Sequence, residues 1–241
     1  MKTLGLIGGL SWFSTTVYYK TINELVTKRL GEHHSAKILL YSMDAQEFGL
    51  LAWQGDWLQA EKMFSQVARQ LENAGASCVA ICSNTPHIVA DKVREKIKIP
   101  LLHIAEETAK EIAKQNIKTV ALLGTKVTME DSFFKDKLLQ SGIEPVIPGE
   151  ADRDYIHAAI LNELTKGIFR EETRNKFLEI IDKLKTQQAR GVIFGCTEIA
   201  LLIDPSECNL PVFDTAFIHA NALVDFALSE ETALHQSAQH A

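Results

Sequence analysis

Two short segments with the same pattern, LGLIGG at residues 4–9 and VALLGT at residues 120–125, decide the fold. Each is a continuous apolar run that ends in small residues, which is typical of a buried parallel strand followed by a tight turn into a helix. The two turns are separated by 116 positions, from Gly8 to Gly124. We interpret the two segments as the first strands of two copies of one α/β unit.

Two further pairs of segments repeat in the same order along the chain. AGASCVAICSNT, which includes Ser83, pairs with ARGVIFGCTE, which includes Cys196, at an offset of 113 positions. KIPLLHIAEE at Pro100 pairs with NLPVFDTAFI at Pro211 at an offset of 111 positions. Any one pair is explained as well by the general similarity of short strand–turn–helix segments. Three pairs in one order at nearly one offset favour an internal duplication.

Short apolar runs alternate with longer segments of helical period over most of the chain. This rhythm predicts parallel strands covered by helices on both faces. The predicted strands are 3–7, 37–42, 77–82, 119–123, 144–147 and 191–194, with edge-like pieces at 100–102 and 211–213. The predicted helices are 15–30, 56–74, 86–97, 106–115, 129–141, 152–164, 171–188 and 214–227.

The predicted fold class is therefore α/β, with two pseudo-symmetric lobes that each contain a parallel sheet flanked by helices. The first lobe is predicted to comprise residues 1–103 and 213–241, because the helix after Pro211 has no strand of the second copy left to precede. The second lobe is predicted to comprise residues 104–212. No linker rich in Pro, Gly or Ser separates the copies, so the lobes are expected to face each other across one cleft that holds the active site.

Composition and charge narrow the class of protein. The chain has 241 residues, of which 46% are hydrophobic and 23% charged, and this is typical of a globular protein with a buried core. The formal net charge of −6 argues against nucleic acid or an anionic membrane as a partner, and no apolar run reaches the about 20 residues that span a bilayer. Four cysteines are too few for a disulfide scaffold in a chain of this length, so we expect free thiols and a cytoplasmic location.

Four polar turns follow predicted strands, at the edge of a parallel sheet where ligands usually bind. They are residues 8–11, 83–87, 124–128 and 195–198. Their small hydroxyl and amide side chains, together with helix N-termini, are suited to a carboxylate ligand. The glycine spacing matches neither G-x-G-x-x-G nor G-x-x-x-x-G-K-[ST], so nucleotide binding is not supported.

The duplication places Ser83 and Cys196 at equivalent positions of the two copies, and this is the most specific indication of the reaction. It predicts one proton-transferring residue from each copy on either side of the cleft, which suits proton transfer to opposite faces of one carbon. Backbone N–H groups at a helix N-terminus lower a thiol pKa from about 8.5, so we expect Cys196 to be a thiolate base near neutral pH. The alternative for Cys196 is simple packing at the end of a buried strand. No metal site is predicted at Cys78, Cys82 and His87, because the two cysteines lie across one strand and there is no second pair of ligands.

Five motifs in series resemble the aspartate/glutamate racemase family, closest to its aspartate racemase and broad-specificity amino-acid racemase branch. They are GGLSWFST (8–15), SNTPH (83–87), GTKVTM (124–129), TKG (165–167) and GCTEI (195–199), and they cover nearly the whole chain in order. The resemblance implies two lobes of similar α/β topology with the site between them, no pyridoxal phosphate or metal cofactor, and a homodimer. It also implies a two-base mechanism, in which one residue removes the Cα proton of a small amino-acid substrate and another returns a proton from the opposite face.

Two departures from the family pattern bear on mechanism and specificity. The commoner pattern has a cysteine directly before Asn-Thr, where this chain has Ser83, whereas Cys82 lies one residue earlier and is expected to point to the other face. Ser83 therefore takes the role, which resembles the branch that has Thr here and activity skewed between enantiomers. An unactivated hydroxyl is a far weaker acid than a thiol, so proton transfer through Ser83 is expected to be slow. Leu10 and Phe13 stand where many relatives have Met and Glu, which changes the expected wall of the substrate pocket.

The resemblance and physical chemistry together give each candidate residue a role. Cys196 is the principal base or acid, and Ser83 is its counterpart on the opposite face. The charge that builds up on the substrate carboxylate needs preorganised donors. Lys166 matches a family lysine that binds a distal carboxylate, although a solvated lysine before Gly167 explains it equally well, and Glu198 polarises Cys196 or contacts the substrate ammonium. The candidate substrate-binding residues are Gly9, Leu10, Asn84, Thr85, Thr125, Thr128, Lys166, Thr197 and Glu198.

The sequence favours a cofactor-independent racemase of acidic amino acids, aspartate or glutamate. One alternative is decarboxylation or isomerisation of a small dicarboxylate, in which Cys196 alone protonates one face and Ser83 only binds. Another is a non-catalytic amino-acid-binding protein that has lost the first thiol. The natural substrate and the enantiomer that faces Cys196 are left open by the sequence.

Overall fold

The computed structural model describes the backbone of residues 1–238 and the side chains through residue 229. Contacts within the chain divide it into two compact units. The first comprises Met1–Cys82, Val89–His103 and the described chain from His219 onward, and the second comprises Ser83–Ile88 and Ile104–Ile218. Residues 83–88 and 213–218, which the sequence predicts in the first lobe, thus belong to the second unit. Residues 239–241, the end of the predicted first lobe, lie outside the described residues.

The first unit contains a three-stranded parallel sheet in the order β2-β1-β3. Its strands are β1 (Leu4–Gly8), β2 (Ile38–Ser42) and β3 (Cys78–Ile81). Strands β1 and β3 are buried along their whole length, whereas β2 becomes exposed towards its end, as is typical of an edge strand. The helices of this unit are α1 (Trp12–Leu30), α2 (Ala45–Gln54), α3 (Trp57–Asn73), α4 (Ala90–Arg94) and the greater part of α11 (Thr215–Ala238).

The second unit contains a four-stranded parallel sheet in the order β5-β4-β6-β7. Its strands are β4 (Thr119–Gly124), β5 (Glu144–Val146), β6 (Val192–Gly195) and β7 (Val212–Asp214). Its helices are α5 (Ile104–Lys114), α6 (Lys126–Glu130), α7 (Ser132–Gln140), α8 (Glu150–Asn162), α9 (Glu171–Thr186) and α10 (Ile199–Leu202).

Alternate residues of β4 pack on opposite faces of the second sheet. Ala121 and Leu123 belong to a core shared with α8 and α9, whereas Val120 and Leu122 belong to a core shared with α5 and α7. Because both faces are covered, the strand has no polar face and reads in the sequence as a continuous apolar run. The prediction of an α/β fold with parallel sheets flanked by helices is confirmed.

Helix boundaries follow local signals where these are strong. Helix α3 begins after Asp56, whose side chain accepts a hydrogen bond from the Gln59 N–H group at 3.0 Å. The predicted helix 86–97 is instead a 3-10 turn (Thr85–Val89) followed by α4, and the predicted helix 129–141 begins earlier and is interrupted at Asp131, which has an extended backbone. No helix of the described residues combines the length and the apolar character needed to cross a membrane.

Candidate active site

The thiol of Cys196 lies directly after β6, in the turn that leads to α10. Cys196 is half-buried, whereas Thr197 and Glu198 beside it are buried. The thiol donates a hydrogen bond to Glu198 Oε2 at 3.0 Å. The preceding residue, Gly195, lies so close to β4 that a Cβ atom would sit 2.6 Å from the Leu123 carbonyl oxygen. The end of β6 therefore pairs the thiol of a half-buried cysteine with a buried glutamate.

The pKa of the Cys196 thiol is raised well above its ordinary value, chiefly by burial and then by the negative charge of Glu198. A backbone hydrogen bond at Glu198 lowers this pKa, but its effect is the smallest of these. The expectation that Cys196 is a thiolate near neutral pH is therefore wrong for the protein without substrate. Burial and the Glu198 charge both favour the protonated thiol, which donates to the Glu198 carboxylate.

Ser83 follows Cys82 shortly after the end of β3. Cys82 is fully buried, and burial raises the pKa of its thiol. Ser83 is half-buried, so it is the member of this pair that is partly exposed to solvent. The Ser83 carbonyl oxygen accepts a hydrogen bond from His87 Nδ1 at 2.8 Å, which requires the proton of that imidazole to be on Nδ1. His87 thus fixes the backbone of the turn.

The side chain of Asn84 connects the turn after β3 to the second sheet. Its Nδ2 group donates to Thr215 Oγ1 at 3.0 Å, and the Thr215 hydroxyl donates to the Phe194 carbonyl oxygen at 2.8 Å. Phe194 is in β6, two residues before Cys196. These two bonds link the turn of Ser83 to the strand that ends at Cys196. They are one physical reason why residues 83–88 belong to the second unit.

Three threonine hydroxyls form a second connection in the same unit. Thr85 Oγ1 lies 3.0 Å from Thr125 Oγ1, which in turn lies 3.1 Å from Thr128 Oγ1. Thr125 is the N-cap of α6, and its side chain accepts a hydrogen bond from the Thr128 N–H group at 3.3 Å. The structure therefore brings Thr85, Thr125 and Thr128 together at the carboxyl end of β4.

The remaining predicted site residues lie elsewhere. Gly9 and Leu10 follow β1 in the first unit, and Leu10 is half-buried. Gly9 has a φ of +84°, and its N–H group donates to Thr15 Oγ1 at 2.8 Å. Lys166 is an exposed residue of the second unit, in a 3-10 turn that ends at Gly167. Among the described contacts, none joins Lys166 to Cys196 or to the three threonines.

Thr215 contacts the predicted site residue Asn84, and sequence reasoning does not single it out. It is fully buried at the start of α11, directly after β7. The sequence signal that could have identified Thr215 is the polar Asp-Thr pair at the carboxyl end of a strand. The duplication gives no hint, because the matching position in the first copy is the apolar residue Ile104.

The other thiols are held in different surroundings from Cys196. Each of the four cysteines is a free thiol. Burial raises the pKa of Cys78 to about 12, and burial together with nearby carboxylates raises the pKa of Cys208 to about 11. Within the part of the chain that the structure describes, no group of three or more His, Cys, Asp or Glu side chains is arranged to hold a metal ion.

Sequence comparison relates this chain to a family of racemases. The family model described as Asp/Glu/hydantoin racemase matches residues 7–223. The broad specificity amino-acid racemase RacX of Bacillus subtilis is 23% identical over 95% of this chain and 100% of its own length.

Solved structures show the same fold. A crystal structure of a candidate Asp/Glu racemase from Yersinia pestis is 46% identical, with a TM-score of 0.89 over 95% of this chain and 100% of that chain. The crystal structure of an aspartate racemase homologue from Pyrococcus horikoshii OT3 is 33% identical, with a TM-score of 0.81 over 94% of this chain and 99% of that chain. These similarities extend over nearly the full length of both relatives.

Proposed function

The chain belongs to the Asp/Glu/hydantoin racemase family, and from this premise we propose that it is a cofactor-independent racemase of acidic amino acids, aspartate or glutamate. Cys196 and Ser83 exchange protons with opposite faces of the substrate Cα. The relatives named as an amino-acid racemase and as an aspartate racemase homologue support this substrate class. A non-catalytic binding protein has less support, because a thiol paired with a proton acceptor is not needed for binding.

The contact between the Cys196 thiol and Glu198 Oε2 is the observation that carries the proposal. When Cys196 acts as the base, its proton passes to the Glu198 carboxylate, and the resulting thiolate takes the Cα proton. When Cys196 acts as the acid, its thiol gives a proton to the carbanion, and a proton from Glu198 returns to the sulfur. In the first direction the sulfur and the carboxylate together gain one proton, which comes from Cα, and in the second direction they lose one proton, which goes to Cα.

The threonine cluster supplies the donors that a carbanion next to a carboxylate requires. Removal of the Cα proton spreads negative charge onto the carboxylate oxygens, and preorganised donors at that position usually contribute most to catalysis. Thr85, Thr125 and Thr128 place three hydroxyls in hydrogen-bond contact with one another at the carboxyl end of β4. We assign these hydroxyls, with Thr197, to the α-carboxylate.

The hydroxyl of Ser83 makes the two directions unequal. A serine hydroxyl holds its proton far more tightly than a thiol, so proton removal through Ser83 is the slower step. His87 Nδ1 donates to the Ser83 carbonyl oxygen, so this nitrogen is not available as a base for the hydroxyl. We propose that turnover is skewed towards the direction in which Cys196 removes the proton.

Substrate specificity is proposed to depend on a residue outside this cluster. The exposed Lys166 is proposed to bind the distal carboxylate of aspartate or glutamate. A Lys166→Ala variant should then raise the KM for acidic amino acids more than the KM for alanine.

We further propose that the protein is a homodimer, that it needs neither pyridoxal phosphate nor a metal, and that it is cytoplasmic. Large apolar side chains on the first unit support a partner surface: Leu40 and Tyr41 of β2 are 44% and 42% exposed, and Trp53 of α2 is 84% exposed. The four free thiols support a reducing compartment. Light scattering after size-exclusion chromatography tests the dimer, and a mass near 26.8 kDa would contradict it.

Incubation in D₂O with L-aspartate, D-aspartate, L-glutamate and D-glutamate tests the function. Proton NMR follows loss of the Cα proton, and chiral chromatography follows inversion. We expect deuterium at Cα with inversion. Exchange without inversion would show that Cys196 transfers a proton and Ser83 does not, and no exchange with any of the four would overturn the proposal.

A further inference from the structure

We infer that Thr215 is a positioning residue that orients the Asn84 amide so that its oxygen, and not its nitrogen, faces the ligand. Thr215 is fully buried and Asn84 is 4% exposed. Both lie in the second unit, at the carboxyl ends of strands, where β7 meets α11 and where the Ser83 turn reaches the sheet. The inference rests on the proposed function and adds a residue to its site.

The direction of the hydrogen bonds follows from the single proton of a hydroxyl. The Phe194 carbonyl oxygen can only accept, so the Thr215 hydroxyl proton points to it, at an oxygen–oxygen distance of 2.8 Å. Thr215 Oγ1 must then accept from Asn84, at 3.0 Å, which requires the amide nitrogen on that side. The orientation of the Asn84 amide is therefore determined by Thr215.

This orientation leaves a buried acceptor without a donor. Asn84 Oδ1 is inaccessible to solvent, and no hydrogen-bond donor of the described residues reaches it. An unpaired buried polar atom destabilises a protein by about 1–3 kcal/mol, so such atoms are rare unless a ligand completes them. The missing partner is a group that donates hydrogen bonds.

The α-ammonium of an amino acid has the required chemistry. It carries three N–H donors and a positive charge, and a hydrogen bond from a charged donor to an amide oxygen is stronger than one between neutral groups. The opposite amide orientation would present N–H groups to the ammonium and repel it. Thr215 thus favours ligands with an α-ammonium over dicarboxylates that lack one.

Two substitutions at Thr215 separate the hydroxyl from the shape of the side chain. Thr215→Val keeps the shape and removes the hydroxyl, whereas Thr215→Ser keeps the hydroxyl. Thr108→Val is the matched control, because Thr108 is also fully buried in the second unit and its hydroxyl donates only to the Ile104 carbonyl oxygen, at 2.8 Å. Thr215→Ala replaces the valine variant if that variant does not fold.

Binding of L-aspartate and of succinate, measured by calorimetry, tests the inference without depending on turnover. Succinate has both carboxylates and no ammonium. We expect Thr215→Val to weaken aspartate binding by about tenfold or more, the effect of losing one charge-assisted hydrogen bond. Its succinate affinity, and both affinities of Thr215→Ser and Thr108→Val, should stay within about threefold of the unsubstituted protein.

Each outcome bears on one of the two proposals. Equal weakening of both ligands in Thr215→Val, or unchanged aspartate binding, would overturn the role of Thr215. Loss of aspartate affinity in Thr215→Ser as large as in the valine variant would also overturn it. If the unsubstituted protein binds neither ligand and exchanges no Cα proton, the proposed function itself fails.

Discussion

At the scale of single residues, the proposed chemistry depends on how burial and Glu198 together set the proton affinity of Cys196. The carboxylate accepts the thiol hydrogen bond, and its negative charge raises the pKa of the thiol. In the proposed mechanism, the same carboxylate is the acceptor of the thiol proton. A neutral residue at position 198 should therefore make the thiolate easier to form and catalysis slower.

Glu198→Gln tests both effects in one protein. Removal of the charge lowers the pKa of Cys196, so alkylation by iodoacetamide at pH 8 should become several-fold faster. Loss of the proton acceptor should slow Cα exchange by about 10²-fold, which is typical of the loss of a general acid–base group. Cys208, which is half-buried, is replaced by serine throughout so that it does not react.

Glu207→Gln is the control for the alkylation experiment, because Glu207 is one of the carboxylates that raise the pKa of Cys208 and does not contribute to that of Cys196. It should leave the Cys196 rate unchanged. Slower alkylation in Glu198→Gln would mean that the carboxylate favours the thiolate, and the proposed role of Glu198 would then be wrong.

Ser83→Cys tests the assignment of the second proton-transferring residue. A thiol at this position is a much stronger acid than the hydroxyl, so the slower direction of racemisation should accelerate by about tenfold or more. Initial rates from each enantiomer, measured by chiral chromatography, provide the comparison. No acceleration in either direction would argue against the role of Ser83.

At the scale of elements, the sequence predicts a helix or strand well where both ends carry a signal. Helix α3 has an Asp at its N-terminus, five buried apolar residues at helical spacing and Gly75 after its last turn, and its ends are predicted within one residue. Helix α2 (Ala45–Gln54) is missed entirely, because its only buried residue is Phe48 and it lacks an apolar stripe. Its formation depends on local signals, an Asp44 cap and a left-handed Gly55, which are short and easily overlooked.

The site is predicted less completely than the elements. The sequence singles out Ser83 and Cys196 because they follow strands at matching positions, and the threonines because they lie in polar turns after strands. Their roles in the site stay a prediction. The sequence does not predict the raised pKa of the Cys196 thiol, because this pKa depends on burial and on the orientation of Glu198, which no sequence pattern records. Thr215 is missed for a similar reason, since its role requires contacts with residues 131 and 21 positions away.

Helices α1 and α11 are joined within the first unit by a buried hydrogen bond that is open to test. Tyr18 Oη lies 2.9 Å from His219 Nδ1, and His219 Nε2 lies 3.0 Å from the Leu102 carbonyl oxygen. Tyr18→Phe should lower the free energy of unfolding by about 1–3 kcal/mol, the usual effect of disrupting a buried hydrogen bond. Urea unfolding measures this change in the free energy of unfolding. Tyr19→Phe, at a residue that is 55% exposed, should change it by less than about 0.5 kcal/mol.

A hydrogen bond at the N-terminus of α6 should make the free energy of unfolding depend on pH. The Lys126 N–H group donates to His157 Nδ1 at 3.2 Å, which requires a neutral imidazole. Burial and then the charge of Lys126 lower the pKa of His157, although Asp154 and Glu130 oppose this. The unfolded chain therefore binds a proton at higher pH than the folded chain. The stabilisation of the folded protein by neutral His157 is present above about pH 6.5 and is lost as the pH falls towards the pKa of His157 in the folded protein.

Urea unfolding between pH 7.5 and pH 5 checks this dependence. His157→Gln offers an acceptor that does not titrate, so its stability should fall less on acidification than that of the unsubstituted protein. A parallel decline of the two proteins would show that His157 does not contribute.

At the scale of the whole molecule, the repeated strand pattern has a counterpart in the two sheets. In each sheet the first strand of the copy lies between the second and the third, in the orders β2-β1-β3 and β5-β4-β6. The copies differ after the third strand: the first has one bridge, Val79 to Leu101, where the second has the strand β7. That difference places Thr215 directly after an added strand, beside the turn of Ser83.

The central claim is that Cys196 transfers the Cα proton. Its most direct test is the rate at which a Cys196→Ala variant exchanges the Cα proton of L- and D-aspartate in D₂O. We predict deuterium incorporation with inversion in the unsubstituted protein and no exchange above background from either enantiomer in Cys196→Ala. A Cys196→Ala variant that exchanges the proton as fast as the unsubstituted protein would contradict the claim.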